Sequence, residues 1–572
     1  MQNTFSSPSN KRNFIPADLI FSKNNLEPIF ENLKNRAIHS VEDLEKWLLD
    51  RSELEAALDE TLAWKYIKST CDTTDLIIKK DFEDFVTEVE PIAAATFNEL
   101  NKKLIASTYL EQLDSEKYHI YLRSIRNQIE LFRPENIELM AEIQVQQQEF
   151  GTLAGSMSIH YQDKEFTLEQ ASNFLKSVDR KQREDVYTLI TNRRLQDREA
   201  LNNLLTSLIT KRDQVAKNAG FSNYRDYKFR ELGRFDFGVK ECEDFHQAIS
   251  DVIIPIVKSF TQSRQKELGL KELKPFDMDV DTAAKEPLKP FDGADDLFTK
   301  TRNCFNRVDP YLSECLETMK THRLFDLESR KGKAPGGYNY PLSESGMPFI
   351  FMNSANSFRD MITMIHEGGH AVHTFISSNL SLNGFKNVPS EVAELASMSM
   401  ELITMDYWDE FFSDAEELKR AKKEHLEDLL MIFPWIAIVD KFQHWLYVNP
   451  NHTAAERETT WSLMYDELGN SLINWDGFSE TRKTLWQKQL HIFEVPFYYI
   501  EYGMAQLGAI AIWKNYQENP SKTIEQYLNA LRLGYTKPVS EIYKTAGISF
   551  DFSTEYILSL STFIQKKMEE LG

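Results

Sequence analysis

Cysteine is scarce in this chain: four in 572 residues, Cys71, Cys242, Cys304 and Cys315, with no C-x-x-C pair. Such scattered cysteines argue against a disulfide framework and fit a reducing, cytoplasmic setting. Long apolar runs are also missing. The longest, LLMIFPWIAIV from Leu429 to Val439, is too short to span a membrane and contains Pro434, so it reads as a core helix. Met1 to Asn10 is polar, and no secretory signal is expected there. Positive charge is in deficit, with 66 Lys and Arg against 88 Asp and Glu and a net charge of −22. That balance argues against nucleic acid or an anionic lipid surface as partner and suits a soluble protein. Strand signals are few, and no long-period repeat is found. Helical periodicity runs almost throughout, from Val41 to the C-terminal YILSLSTFIQKKMEELG, so the expected class is mainly α with a small β element. No oligomeric state follows from these patterns.

What stands out instead is His366-Glu367-Gly368-Gly369-His370, within MITMIHEGGHAVHTF. Histidines four apart lie on one helix face, one turn apart, and can share a metal ion. Glu367 stands where a general base for an activated water is needed. A chance surface pattern is disfavoured by its setting. Met361, Met364, Ile365, Ala371, Val372 and Phe375 form an apolar stripe, Asn356 or Ser357 can cap the helix, and Asp360 suits its first turn.

A catalytic zinc needs a third protein ligand and an open position. The downstream stretch NVPSEVAELASMSMELI offers Glu391, Glu394 and Glu401, with Ser390 a possible N-cap. Spacing alone does not choose among the acids. Glu394 and Glu401 share a helix face, and we favour Glu394 as ligand and Glu401 as the carboxylate orienting a ligand histidine. Just before the motif, GYNYPL and MPFIFMN flank a Ser-Glu-Ser-Gly turn and predict a β-hairpin. It reads as an active-site wall. Gly336 and Gly337 imply close backbone approach or positive φ, and Gly337 and Tyr338 are candidate substrate contacts.

HEGGHAVH followed by VAELASMSMEL resembles the thimet oligopeptidase/oligoendopeptidase F family of zinc metallopeptidases. The resemblance implies one Zn²⁺ per chain, held by His366, His370 and Glu394, with Glu401 behind a ligand. LHIFEVPFYYIEYGMA, from Leu490 to Ala505, resembles the family's histidine and tyrosine cluster. It implies that His491 and a tyrosine, Tyr502 first and Tyr498 second, stabilise the oxyanion, with Tyr499 touching substrate. His373, seven residues after His366, is a further substrate-side candidate. The resemblance also implies two helical lobes around a deep channel that admits short unstructured peptides.

The chain is divided here into an N-terminal helical lobe, residues 1–150, and a catalytic region, residues 151–572. A Pro- and Asp-rich loop lies at about 271–296, where KPFD occurs twice (Lys274–Asp277 and Lys289–Asp292) without EF-hand spacing. The expected activity is hydrolysis of internal bonds in short peptides. The alternatives are a zinc carboxypeptidase or dipeptidyl carboxypeptidase and, outside enzymes, a peptide-binding scaffold.

Overall fold

The computed structural model describes residues 12–282, 285–330 and 332–572. The polar stretch Met1–Asn10 lies outside them, as do two residues of the Pro- and Asp-rich loop. Helices dominate. Two apolar clusters organise them: one among residues 15–125, joined by Leu382 and Phe385, and a larger one through the rest of the chain. The 31-residue helix Val41–Cys71 belongs to both. Its Trp47, Leu54 and Leu58 enter the first cluster, and Ala63, Ile67 and Cys71 enter the second. The helix Asn136–Gly155 runs unbroken through residue 150 and contributes Ile143 and Phe150 to the larger cluster.

Strands β1 (Ser158–Tyr161) and β2 (Lys164–Thr167) form a small antiparallel hairpin. The second sheet has β3 (Phe325–Glu328), β4 (Tyr338–Leu342) and β5 (Met347–Ser354), in the order β3-β5-β4. The expected hairpin is β4–β5, pairing Tyr338 with Phe351 and Leu342 with Met347. Gly346 supplies the left-handed conformation at its turn, φ +68°. Strand β3, not expected from the sequence, joins β5 in parallel. Pairing on both edges makes β5 the central strand, which accounts for its nearly continuous apolar run.

Helix Phe358–Ser377, called here the histidine helix, starts at Ser357. The Ser357 side chain accepts from the Asp360 N–H, and Asp360 accepts from the Ser357 N–H at 2.8 Å, which is a capping box. The glutamate helix, Ser390–Ile403, corrects one expectation: Pro389 holds the N-cap position and Ser390 is the first helical residue. The Ser390 hydroxyl serves the Glu501 carboxyl instead. The apolar run at 429–439 is core helix, inside Ala415–Val448, which tolerates Pro434. The first KPFD is more than a surface loop. Asp277 is fully buried and ion-paired to Arg180 and Arg183, each at 2.8 Å.

Asp428 and Lys488 are solvent-exposed, yet surrounding protein perturbs both. Desolvation, with Glu424 and Glu427 nearby, pushes the Asp428 carboxyl up to about 7. Desolvation pulls the Lys488 ammonium down to about 8. Both also feel Asp279.

Candidate active site

His366 and His370 sit one turn apart, their rings 4.9 Å apart and nearly perpendicular. The glycine before His370 decides what they face. A Cβ on Gly369 would stand 2.6 Å from Ser397 Cα and 2.9 Å from the Ala396 carbonyl oxygen, both backbone atoms of the glutamate helix. Glycine therefore lets the two helices touch main chain to main chain. That contact brings Glu394 Oε2 to 3.2 Å from His366 Nε2 and 3.7 Å from His370 Nε2. The ligand atoms of His366, His370 and Glu394 all lie within 4.8 Å of one another.

Two members of the trio are oriented from behind. Glu401 Oε1 lies 2.7 Å from His366 Nδ1, which turns Nε2 toward Glu394. His425 stands behind Glu401, with Nε2 3.7 Å from Glu401 Oε2. The Tyr498 hydroxyl donates to Glu394 Oε1 at 2.6 Å, leaving Oε2 toward the histidines. Burial disfavours charge on Glu394, but His370, His366 and the Tyr498 hydrogen bond outweigh it and bring the carboxyl down to about 2. Burial likewise opposes the His366 imidazolium, but Glu394 and Glu401 overcome it and raise His366 well above its ordinary value. Burial holds His370 down at about 4.

Glu367 is buried beside this group, and its Oε2 has no protein partner. Burial pushes its carboxyl up to about 7, with Glu394 and Glu401 adding to the rise against His366. The hairpin covers it. A Cβ on Gly337 would meet the Phe351 carbonyl and Thr363 at 3.4 Å, with Glu367 Oε1 at 3.8 Å. Gly336 has φ +97°, so this glycine pair supplies both close approach and a left-handed residue. Asn339 Nδ2 donates to the Glu367 carbonyl at 3.3 Å. Tyr338 points elsewhere: its hydroxyl pairs with Thr70 at 2.6 Å and its ring stacks on Phe351.

The opposite wall is irregular chain. A short helix, Leu490–Glu494, carries His491, and the tyrosine helix, Tyr499–Glu518, carries Tyr502. Between them Phe497 adopts φ +67°, costly for a bulky residue. Two buried groups hold it there. Gln443 accepts from the Phe497 N–H at 2.7 Å, and Arg234 donates to the Phe497 carbonyl and, at 2.8 Å, to Glu501. The bend gathers His491, Tyr498, Tyr499 and Tyr502, with ring centroids 4.9 to 5.9 Å apart between neighbours. His491 Nε2 lies 3.1 Å from Tyr502 Oη, and Gln489 Nε2 lies 2.7 Å from His491 Nδ1. Burial lowers His491 to about 4, so its imidazole is neutral.

Other candidates fall outside this cluster. Glu391 is buried near Arg234 and Glu501; burial and Glu501 push its carboxyl up to about 8. His373 is buried against the Leu531 main chain, and burial lowers it to about 3. A second possible ligand group, Cys242, Asp440 and His444, lies wholly in the core. There His246 Nε2 already meets Asp440 Oδ2 at 2.9 Å. Asn339 and His425 escaped sequence reasoning because each finds its partner through tertiary contact, and Gln489 because its bond to His491, two residues on, is made in irregular backbone and its other partner, Trp435, is remote.

The residues fit a divalent cation. Two imidazole nitrogens and one carboxylate oxygen are the donor set of a catalytic zinc with a position left open. The rise of His366 between two carboxylates marks a site that favours positive charge.

Comparison with known proteins agrees with this arrangement. Residues 173–562 match the model for peptidase family M3, and residues 21–132 match the peptidase M3 N-terminal domain. An oligoendopeptidase F homolog of Borreliella burgdorferi is 24% identical over 371 residues, covering 64% of this chain and 61% of that protein. Oligopeptidase PepF of Bacillus subtilis is 20% identical over 412 residues, covering 72% of this chain and 60% of the relative. The match thus spans about three fifths of the curated relatives' length. A solved structure of PZ peptidase A with an inhibitor superposes with a TM-score of 0.92 at 26% identity, covering 97% of this chain and 99% of the other. With more than half of its length matched by the family model, the chain belongs to peptidase family M3.

Proposed function

We propose that this chain is a zinc-dependent oligoendopeptidase of the cytoplasm that hydrolyses internal bonds of short, unstructured peptides. The observation that carries the reading is the buried Glu367 carboxyl, its Oε2 without a protein partner, beside the converging His366, His370 and Glu394. Those three would hold one Zn²⁺. When bound, the ion lowers the pKa of a coordinated water and polarises the scissile carbonyl. Glu367 takes a proton from the attacking water and later delivers it to the leaving amine. Glu401 and Tyr498 hold His366 and Glu394 in orientation. The Tyr502 hydroxyl stabilises the charge that develops on the carbonyl oxygen, and His491 supports it through their shared hydrogen bond. Strand β4 lies at the edge of its sheet, which supports pairing with an extended peptide. Four unpaired, buried cysteines support the cytoplasmic setting. Among the described residues, no helix is long and apolar enough to cross a membrane.

One observation favours the exopeptidase alternative. Lys488, exposed three residues before His491 with its ammonium 4.7 Å from the centroid of the Trp435 ring, offers a cation to a substrate's terminal carboxylate. The test is hydrolysis of an internally quenched peptide of roughly ten residues, blocked at both ends, with product masses, for wild type and Glu367→Gln. Internal cleavage is expected, dropping about 10³-fold in the variant with zinc still bound. Cleavage of free-ended peptides alone would establish the exopeptidase. No turnover of either peptide by the zinc-loaded protein would leave the scaffold reading.

A further inference from the structure

The hydrogen bonds behind His491 have only one consistent direction. Trp435 Nε1 lies 2.9 Å from Gln489 Oε1. An indole N–H can only donate, so the Gln489 carbonyl oxygen faces Trp435 and its amide NH₂ faces His491. The Tyr499 hydroxyl is a second neighbour of the same indole, which leaves the direction of donation unchanged. The Gln489 NH₂ can likewise only donate, and it meets His491 Nδ1 at 2.7 Å. Nδ1 must therefore present its lone pair. A neutral ring then carries its proton on Nε2, 3.1 Å from Tyr502 Oη. That N–H donates to the phenol oxygen, and the Tyr502 O–H is left without a task in the protein.

The main chain fixes the start of this relay. The Gln489 N–H donates to the Trp486 carbonyl at 3.0 Å, and the Gln489 carbonyl accepts from Ile492 N–H at 3.1 Å, opening the short helix that carries His491. Trp435 comes from the middle of a different helix, Ala415–Val448. The amide is thus held between two separate helices.

We propose that Gln489, oriented by Trp435, is a positioning residue that locks His491 as its Nε2–H tautomer and thereby keeps the Tyr502 hydroxyl free to donate to the substrate carbonyl. The proposal rests on the reading of Tyr502 as a carbonyl donor. With the opposite tautomer, His491 Nε2 would be an acceptor. The Tyr502 O–H would then turn to it, and the donor would be withdrawn from the substrate. Gln489 touches neither substrate nor metal ligands and acts only through this choice.

Gln489→Glu isolates the effect. It has nearly the same shape, and one carboxylate oxygen still accepts from Trp435. The other oxygen can only accept from His491, which draws the proton to Nδ1 whenever the ring is neutral. The first measurement is ¹⁵N NMR of histidine-labelled protein, with His491 assigned by substitution, at a pH above the imidazole range. The wild type should show a protonated Nε2 and a bare Nδ1, and the variant the reverse. The second is steady-state hydrolysis of the blocked quenched peptide at that pH. Gln489→Glu should lower kcat about 100-fold, the loss expected for one oxyanion donor, with KM and zinc content unchanged. Gln489→Met, which imposes no tautomer, should lose less. In a Tyr502→Phe background Gln489→Glu should have no further effect, because the donor it withdraws is already gone. A wild-type His491 protonated at Nδ1 overturns the proposal, as does unchanged kcat in Gln489→Glu or a full multiplicative loss in the double variant. Normal kcat in Tyr502→Phe alone sinks the Tyr502 reading instead, and the NMR result still stands as a separate test of the tautomer.

Discussion

His366, Glu367, His370, Glu394 and Glu401 ride on two regular helices that meet at one glycine, whereas His491, Tyr498, Tyr499 and Tyr502 come from chain bent at Phe497. In the first half, helical spacing places side chains on a common face, and the only tertiary requirement is that the helices come close. In the second, a left-handed phenylalanine is held by Gln443 and Arg234, and the histidine by Gln489. The metal-side half is therefore robust in register and vulnerable in approach. The carbonyl-side half depends on individual hydrogen bonds. Tyr498 joins the two, because its hydroxyl is spent on Glu394.

This contrast can be broken most forcefully at the glycine. Gly369→Ala places a methyl group into the backbone of the glutamate helix, so the helices must separate. Expected are a stability loss of about 2 to 3 kcal/mol, typical of overpacking, and a parallel loss of metal affinity. Denaturant unfolding and zinc titration measure the two, and wild-type values for both would show that the contact is not the hinge of the site.

Tyr502→Phe should spare stability and metal content while lowering kcat roughly 100-fold, as for loss of one carbonyl donor. If it instead released zinc, the separation into two halves would fail. Glu401→Ala tests the reverse. It frees the His366 ring and should weaken metal binding about 10- to 100-fold, with activity restored by excess zinc. Activity that excess zinc did not restore would assign Glu401 a role beyond orienting His366.

The smallest expected effect is a control. Gly151 lies inside the helix Asn136–Gly155 with nothing within 4 Å of an added Cβ. Gly151→Ala should stabilise by about 0.5 to 1 kcal/mol through chain entropy, with no change in turnover. Set against Gly369→Ala, it separates a glycine required by contact from one required by nothing, and a destabilised Gly151→Ala would remove that distinction.

The sequence by itself determined the helical class, the histidine helix with its cap narrowed to Asn356 or Ser357, the β4–β5 hairpin and the common helix face of Glu394 and Glu401. Each is written in short-range periodicity: a 3.6-residue repeat, an alternation, a capping residue three before its partner. Even there it misjudged Ser390, because a serine after proline reads the same whether it caps a helix or begins one. Strand β3 was invisible, since four residues show too little alternation and its pairing with β5 is parallel and remote. Only the tertiary structure decided that Gly369 meets Ser397, that His425 backs Glu401, that Tyr498 holds a carboxylate, and that Trp435 and Gln489 orient His491. Those links join residues distant in the chain or set in irregular backbone, where hydrogen-bond direction and van der Waals contact, rather than spacing, select the partner.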